Sequence, residues 1–285
     1  MKFETLAIHG ANRITDSNRP VVQPITLSTT FGHGEGSPFY SRISNPNRVS
    51  LENLLAKLEL GKSAAAFSSG NAAGMAVFQS LPVGSHIIAP DDMYHGLKKQ
   101  LLEIFSDSLD VSFVDLTQPE NFISAITSQT RLLWIETPSN PLLKISDIKI
   151  LGEMARDKGI MVVCDNTFAT PVFQNPLQLG ADLVMHSTTK FLGGHSDILG
   201  CALITKEEDV MWERILNIQT NGGAVPSPFD CYYLARSIKT LPYRMKGHAE
   251  HAGILATYLD QHKKVEKVYY PGLIEQPFNP DSFIN

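Results

Sequence analysis

Six short apolar runs recur through the middle of the chain, at Ala64 to Phe67, His86 to Ala89, Val111 to Val114, Leu132 to Ile135, Ile160 to Cys164 and Asp182 to His186. They read as buried strands. Between them lie helix-like stretches such as Asn71 to Leu81, Leu97 to Phe105 and Ile148 to Lys158. Strands that alternate with helices predict a mostly parallel sheet covered on both faces, so the fold class is α/β. A chain of 285 residues with 43% hydrophobic content can bury such a core.

The two ends differ from this middle. Pro20, Pro24, Pro38 and Pro46, with Gly32, Gly34 and Gly36, break any long element before the helix-like Val49 to Leu60. That segment predicts an arm. Tyr243 to Lys264 has helical character and leads into a strand-like Val265 to Tyr270 before Pro271-Gly272. The expected division is an N-terminal arm and first helix over 1–60, an α/β domain over 61–245, and the start of an incomplete C-terminal domain over 246–285.

Charge and targeting narrow the function classes. A net charge of −5 and a pI near 6.0, with no run of Lys and Arg, give no attraction to nucleic acid or anionic lipid. Polar residues follow Met1 where a leader would carry an apolar stretch, and no apolar run approaches membrane-spanning length, so a cytoplasmic location is expected. Cys164, Cys201 and Cys231 are odd in number and widely spaced, which suits reduced thiols better than a disulfide framework or a zinc site. Cys164 ends an apolar run and is expected to be a buried structural thiol.

Ligands of open parallel sheets bind at the carboxyl ends of the strands, so the polar residues after each run are the ones to inspect. Ser68-Ser69-Gly70-Asn71 precedes a helix and offers free backbone N–H groups to an anion, although the same residues serve as a plain helix cap. Asp165-Asn166-Thr167 places a carboxylate at that edge, suited to a cap, a metal or a cationic ring. Ser187-Thr188-Thr189-Lys190 adds two hydroxyls for a phosphate and a candidate amine nucleophile. Together these match the needs of pyridoxal phosphate (PLP): an amine for the aldehyde, a carboxylate for the pyridinium nitrogen, and hydroxyls plus a helix start for the phosphate.

The chain resembles the PLP-dependent cystathionine synthase and lyase family of Cys/Met metabolism. The resemblance runs from about the N-terminus to Leu273. It rests on Tyr40-Ser41-Arg42 with Asn45-Pro46, Ser68 to Ala73, Glu136-Thr137-Pro138-Ser139-Asn140-Pro141, and the block from Asp165-Asn166-Thr167-Phe168 to Lys190 and Gly193-Gly194-His195-Ser196-Asp197. It implies an aspartate-aminotransferase-like fold (PLP fold type I) with a mostly parallel central sheet, an N-terminal arm and a truncated C-terminal domain. It implies further that Lys190 forms the Schiff base and later shuttles protons, and that Asp165 pairs with the pyridine nitrogen. Ser187, Thr189 and the backbone of Gly70 and Asn71 hold the phosphate. Asn140 lies near the ring hydroxyl and the substrate carboxylate, and Tyr94 stacks on the ring and serves as an acid or base. Tyr40 and Arg42 reach the phosphate of a neighbouring subunit, which implies a homodimer or homotetramer with shared sites.

The implied reaction is γ-replacement or γ-elimination that makes or cleaves cystathionine, with cystathionine, an O-acylhomoserine and cysteine as substrates. Gly222 to Asp230 resembles the loop of that γ branch. Cystathionine β-lyase, O-acetylhomoserine sulfhydrylase and a PLP-binding remnant with little activity are the alternatives. Asn71 stands where the family commonly has Met, and Tyr94-His95-Gly96-Leu97 replaces a Gly-Gly-Thr loop. The Gly96 position is a cysteine in methionine γ-lyases, against that specificity. The family's chains continue for roughly a hundred residues more, a domain's worth that carries the arginine for the substrate α-carboxylate, so no residue is assigned that role. Gly61-Lys62-Ser63 is expected to be a helix-ending turn, not a phosphate loop, and His248, Glu250 and His251 a solvated helix face with no metal.

Overall fold

The computed structural model describes residues 1–11, 20–32, 34 and 39–273. Gly36 and Pro38 of the arm, and the end of the expected C-terminal segment from residue 274, lie outside the described residues. Seven strands form one sheet: β1 (Ser63–Phe67), β2 (Ser85–Pro90), β3 (Leu109–Val114), β4 (Thr130–Glu136), β5 (Met161–Asp165), β6 (Leu183–His186) and β7 (Cys201–Thr205). Their order is β1-β7-β6-β5-β4-β2-β3. Neighbours from β6 to β3 pair in parallel, and β7 is antiparallel to both β6 and β1. Six strands therefore run the same way, and their carboxyl ends share one edge. All six predicted runs are strands, and β7 is the addition.

The helices are α1 (Phe3–His9), α2 (Pro46–Leu58), α3 (Gly70–Ser80), α4 (His95–Lys99), α5 (Pro119–Ala125), α6 (Ile148–Arg156), the short α7 (Thr170–Phe173) and α8 (Pro176–Leu179), α9 (Val210–Gly222), α10 (Pro228–Ile238) and α11 (Leu241–Asp260). A single π-helical turn, Gln100–Ile104, extends α4. Starts are set by side chains: Asn45, Ser69, Asp147, Asp209 and Ser227 each accept a hydrogen bond from a first-turn backbone N–H. Gly223, at φ 77°, ends α9 in the left-handed conformation that glycine adopts without strain.

Strand alternation divides the core into two layers. Phe67, Ile87, Trp134, Val163 and Met185 point to one face, against Ala73 and Val77 of α3, Leu97 of α4, and Trp212 and Ile215 of α9. On the other face Ala66, Val184 and Ile204 meet Leu51 and Leu54 of α2 and Leu234 of α10, while Ile88, Leu133 and Cys164 meet Phe122 of α5 and Leu151 of α6. The helix predicted over Val49 to Leu60 is thus a core element, and the arm before it is tied to its first turn. Asn47 accepts from Thr26 N at 2.8 Å and donates to the Pro24 carbonyl at 3.0 Å.

One reading changes. Val265 to Tyr270 is irregular and is held by turns such as Val265 N to the His262 carbonyl at 2.9 Å. Among the described residues none of the seven strands pairs with this segment. One helix, α11, also runs unbroken through residues 245 and 246. Gly61 does close α2, donating to the Ala56 carbonyl at 2.8 Å, and Cys164, Cys201 and Cys231 are free and buried.

Candidate active site

The sheet edge gathers the polar residues that follow β1, β4, β5 and β6. Glu136 and Asp165 are register partners on the adjacent parallel strands β4 and β5. Alternation from Trp134 and Val163 turns both carboxyls to the face covered by α3. Both residues are buried. Asp165 Oδ1 accepts from Thr167 N at 3.0 Å and from Thr167 Oγ1 at 2.5 Å. Thr167 Oγ1 accepts in turn from Ser187 N at 2.8 Å, which links the loop after β5 to the loop after β6.

Burial dominates the electrostatics of this pair. It raises the Asp165 carboxyl above its ordinary value, against the Thr167 hydrogen bonds and the charge of His186. Among the described residues no Lys or Arg forms an ion pair with Asp165. Glu136 is pushed up to about 9 by burial first and then by Asp165, although two backbone N–H groups favour its charged form. Two acids side by side without a cation are the electrostatic mark of a site built to receive a positive charge.

The start of α3 lies beside this pair. Ser69 Oγ accepts from Ala72 N at 3.1 Å, and the amides of Gly70 and Asn71 belong to the first turn, where no intrahelical acceptor exists. A Cβ at Gly70 would lie 3.8 Å from Ser187 Oγ, so the helix start and this hydroxyl face the same space. Thr189 Oγ1 accepts from Gly200 N at 3.1 Å and donates to the Gly200 carbonyl at 3.2 Å. Lys190 follows in an exposed turn whose carbonyl accepts from Gly194 N at 2.7 Å. Gly194 has φ 71°, a left-handed conformation that glycine adopts without strain, and Arg244 braces the turn by donating to the Phe191 carbonyl at 2.6 Å.

Tyr94 caps α4 and is 42% exposed, with its ring toward the same region. A Cβ on Gly96 would stand 2.5 Å from Tyr94 Cε1 and 2.9 Å from Asn71 Oδ1, so Tyr94, Gly96 and Asn71 adjoin. Asn140 sits on the loop after β4, which Asp92 pins by accepting from Ser139 Oγ at 2.5 Å and Leu142 N at 3.0 Å.

Tyr40 and Arg42 lie elsewhere in this chain. The Arg42 guanidinium packs 5.6 Å from the Tyr40 ring centre and donates to the Thr220 carbonyl at 2.6 Å, at the end of α9. The loop that follows α9 reaches back to the segment between β1 and α3, with Ser68 N donating to the Ala224 carbonyl at 2.9 Å. His248, Glu250 and His251 are exposed on α11.

Sequence reasoning assigned no role to Glu136, Thr167, Asn166, His186 or Glu59. Glu59 is buried at the end of α2 and accepts from His186 Nε2, from Asn166 Nδ2 at 2.8 Å and from Asn175 Nδ2 at 3.2 Å. Gln174 joins this group to the Thr137 carbonyl at 3.3 Å. The one available signal was position, since Thr137, Asn166 and His186 all stand at or just beyond strand ends.

A model of the family described as "Cys/Met metabolism PLP-dependent enzyme" matches residues 4–279. The chain is 46% identical over 281 residues to a cystathionine gamma-synthase of Mycobacterium leprae, covering 96% of this chain and 72% of that one. It is 41% identical over 282 residues to a cystathionine gamma-lyase of Dictyostelium discoideum, covering 97% and 73%. A crystal structure of cystathionine gamma-lyase from Lactobacillus plantarum complexed with L-serine superposes with a TM-score of 0.93 at 38% identity, over 97% of this chain and 74% of that one.

Proposed function

Because the chain belongs to the Cys/Met metabolism family of PLP-dependent enzymes, we propose that it is a trans-sulfuration enzyme that makes or cleaves cystathionine by γ-replacement or γ-elimination. The observation that carries this reading is the uncompensated Asp165 carboxyl at the same sheet edge as the start of α3, Ser187 and the Lys190 turn. This donor set fits PLP. Asp165 faces the pyridine nitrogen, whose positive charge offsets the burial that otherwise raises the acid. Gly70 N, Asn71 N and Ser187 Oγ take the phosphate at a helix start. Thr189 joins them by turning its hydroxyl hydrogen from the Gly200 carbonyl to the phosphate, while it still accepts from Gly200 N.

PLP supplies an electron sink that lets a substrate amino acid lose its Cα proton. The chain supplies the rest. Lys190 Nζ would be the amine that holds the cofactor aldehyde and, when free, the base that would carry the proton taken from the substrate Cα. Tyr94 covers the ring and serves as an acid or base, and Asn140 orients the ring hydroxyl and the substrate carboxylate. Tyr40 and Arg42 would serve the phosphate of a neighbouring copy, a role that calls for a homo-oligomer with shared sites, and a cytoplasmic location is part of the same proposal.

Product analysis after reconstitution with PLP tests the proposal. 2-Oxobutyrate from cystathionine, or cystathionine from an O-acylhomoserine and cysteine, is expected, with loss on Lys190→Ala. Pyruvate as the main product moves the assignment to β-elimination. A yellow PLP-loaded protein without turnover on any of these substrates overturns it.

A further inference from the structure

Glu136 bridges two loops. Its Oε2 accepts from Tyr94 N at 2.8 Å and its Oε1 accepts from Asn140 N at 2.9 Å. These amides belong to the residue read as the ring-stacking tyrosine and the residue read as facing the ring hydroxyl. Resting on that reading, we infer that Glu136 is a positioning residue whose single carboxyl sets the Tyr94 and Asn140 loops relative to each other, and so to the cofactor ring that both would contact.

The chemistry favours this role over plain loop packing. Two N–H groups arriving from different loops need two acceptor oxygens and no donor, and a carboxylate on a side chain of this length provides that set. A glutamine offers one acceptor and turns its NH2 against the other amide. The outer ends of the same loops are already stapled, by Asp92 to Ser139 and by Lys144 to Asp91 at 2.9 Å. Packing alone therefore has no need for a further acid, buried and in register with Asp165, where the two charges repel. A cationic ring beside both acids removes that repulsion and draws Glu136 into the ionised form that accepts equally at both oxygens, so the clamp tightens as the ring binds.

The test is a double-mutant cycle in the full chain, reading the PLP dissociation constant and the visible circular dichroism of bound PLP for wild type, Glu136→Gln, Tyr94→Ala and the double variant. Glu136→Gln is expected to weaken PLP binding about tenfold and to change the dichroism, the loss of one charged hydrogen bond. Its effect should shrink in the Tyr94→Ala background, because the clamp then has no ring to place and positions Asn140 alone. Effects that simply add, or unchanged affinity and dichroism, overturn the inference. Should Glu136→Gln not fold, Glu136→Asp carries the same expectation, since the shorter acid reaches one loop only. Wild type that forms no Lys190-dependent absorbance with PLP refutes the cofactor reading itself, whereas normal wild type with normal variants refutes only the role of Glu136.

Discussion

At the residue scale, Glu136 ties stability to pH with a definite sign. Burial and the neighbouring Asp165 push its carboxyl from an ordinary 4.5 up to about 9 in the folded chain. Between those limits the native state keeps a proton that the unfolded state has released, so stability falls as pH rises and is greatest at the acid end. One proton sets the limiting slope at about 1.4 kcal/mol per pH unit. Asp165, raised by burial, acts in the same direction. Urea unfolding of the PLP-free protein at pH 5 to 8 is expected to give declining stability, with a shallower decline for Glu136→Gln; parallel slopes would rule out Glu136 as the source. Gly96 makes a second, steric prediction. Its missing Cβ leaves room for the Tyr94 ring edge and Asn71 Oδ1, so Gly96→Ala should displace the ring and weaken PLP by about tenfold, a stacking contact's worth, with little change in unfolding temperature. An equal PLP affinity in Gly96→Ala would mean that Tyr94 does not press on the cofactor.

At the element scale, the carboxyl ends of β4, β5 and β6 are held in place by the group around Glu59. Its two oxygens accept from His186, Asn166 and Asn175, all on the sheet face opposite Asp165. Glu59→Ala leaves the buried His186 Nε2 without an acceptor and takes one of two acceptors from each of the Asn166 and Asn175 amides, so it should cost about 3 kcal/mol in denaturant unfolding, whereas a loss under about 1 kcal/mol would mean that water or other groups replace the carboxylate. Nothing local in the sequence announces this group, because Glu59 lies about a hundred residues from its partners and reads as an ordinary helix end. The strands were legible because burial on both faces writes continuous apolar runs such as Leu132 to Ile135. The residues after them were legible because the sheet edge sits where those runs stop. α9 and α10 escaped notice: their buried residues, Trp212 and Ile215 or Cys231 and Leu234, are scattered among polar ones. Val265 to Tyr270 misled for the converse reason, since an alternating pattern records what a strand looks like and not whether a partner is present.

At the scale of the whole molecule, the position of the arm bears on assembly. Arg42 and Tyr40 stack on each other at the end of α9, and the Arg42 side chain is held there by the Thr220 carbonyl. Lys190, by contrast, stands in an exposed turn at the carboxyl edge of the sheet. If each site takes its lysine from one protomer and its arm from the next, defects in the two can be separated between subunits. Lys190→Ala and Arg42→Ala homo-oligomers should each be nearly inactive, the first for want of the amine and the second through weakened phosphate binding. Unfolding and refolding an equimolar mixture should restore activity to about a quarter of the wild-type level, because half of randomly paired dimers are mixed and each mixed dimer carries one intact site. A mixture no more active than its components would place Arg42 in the same site as the Lys190 of its own chain, and the arm would then have to swing from Thr220 to the sheet edge within one subunit.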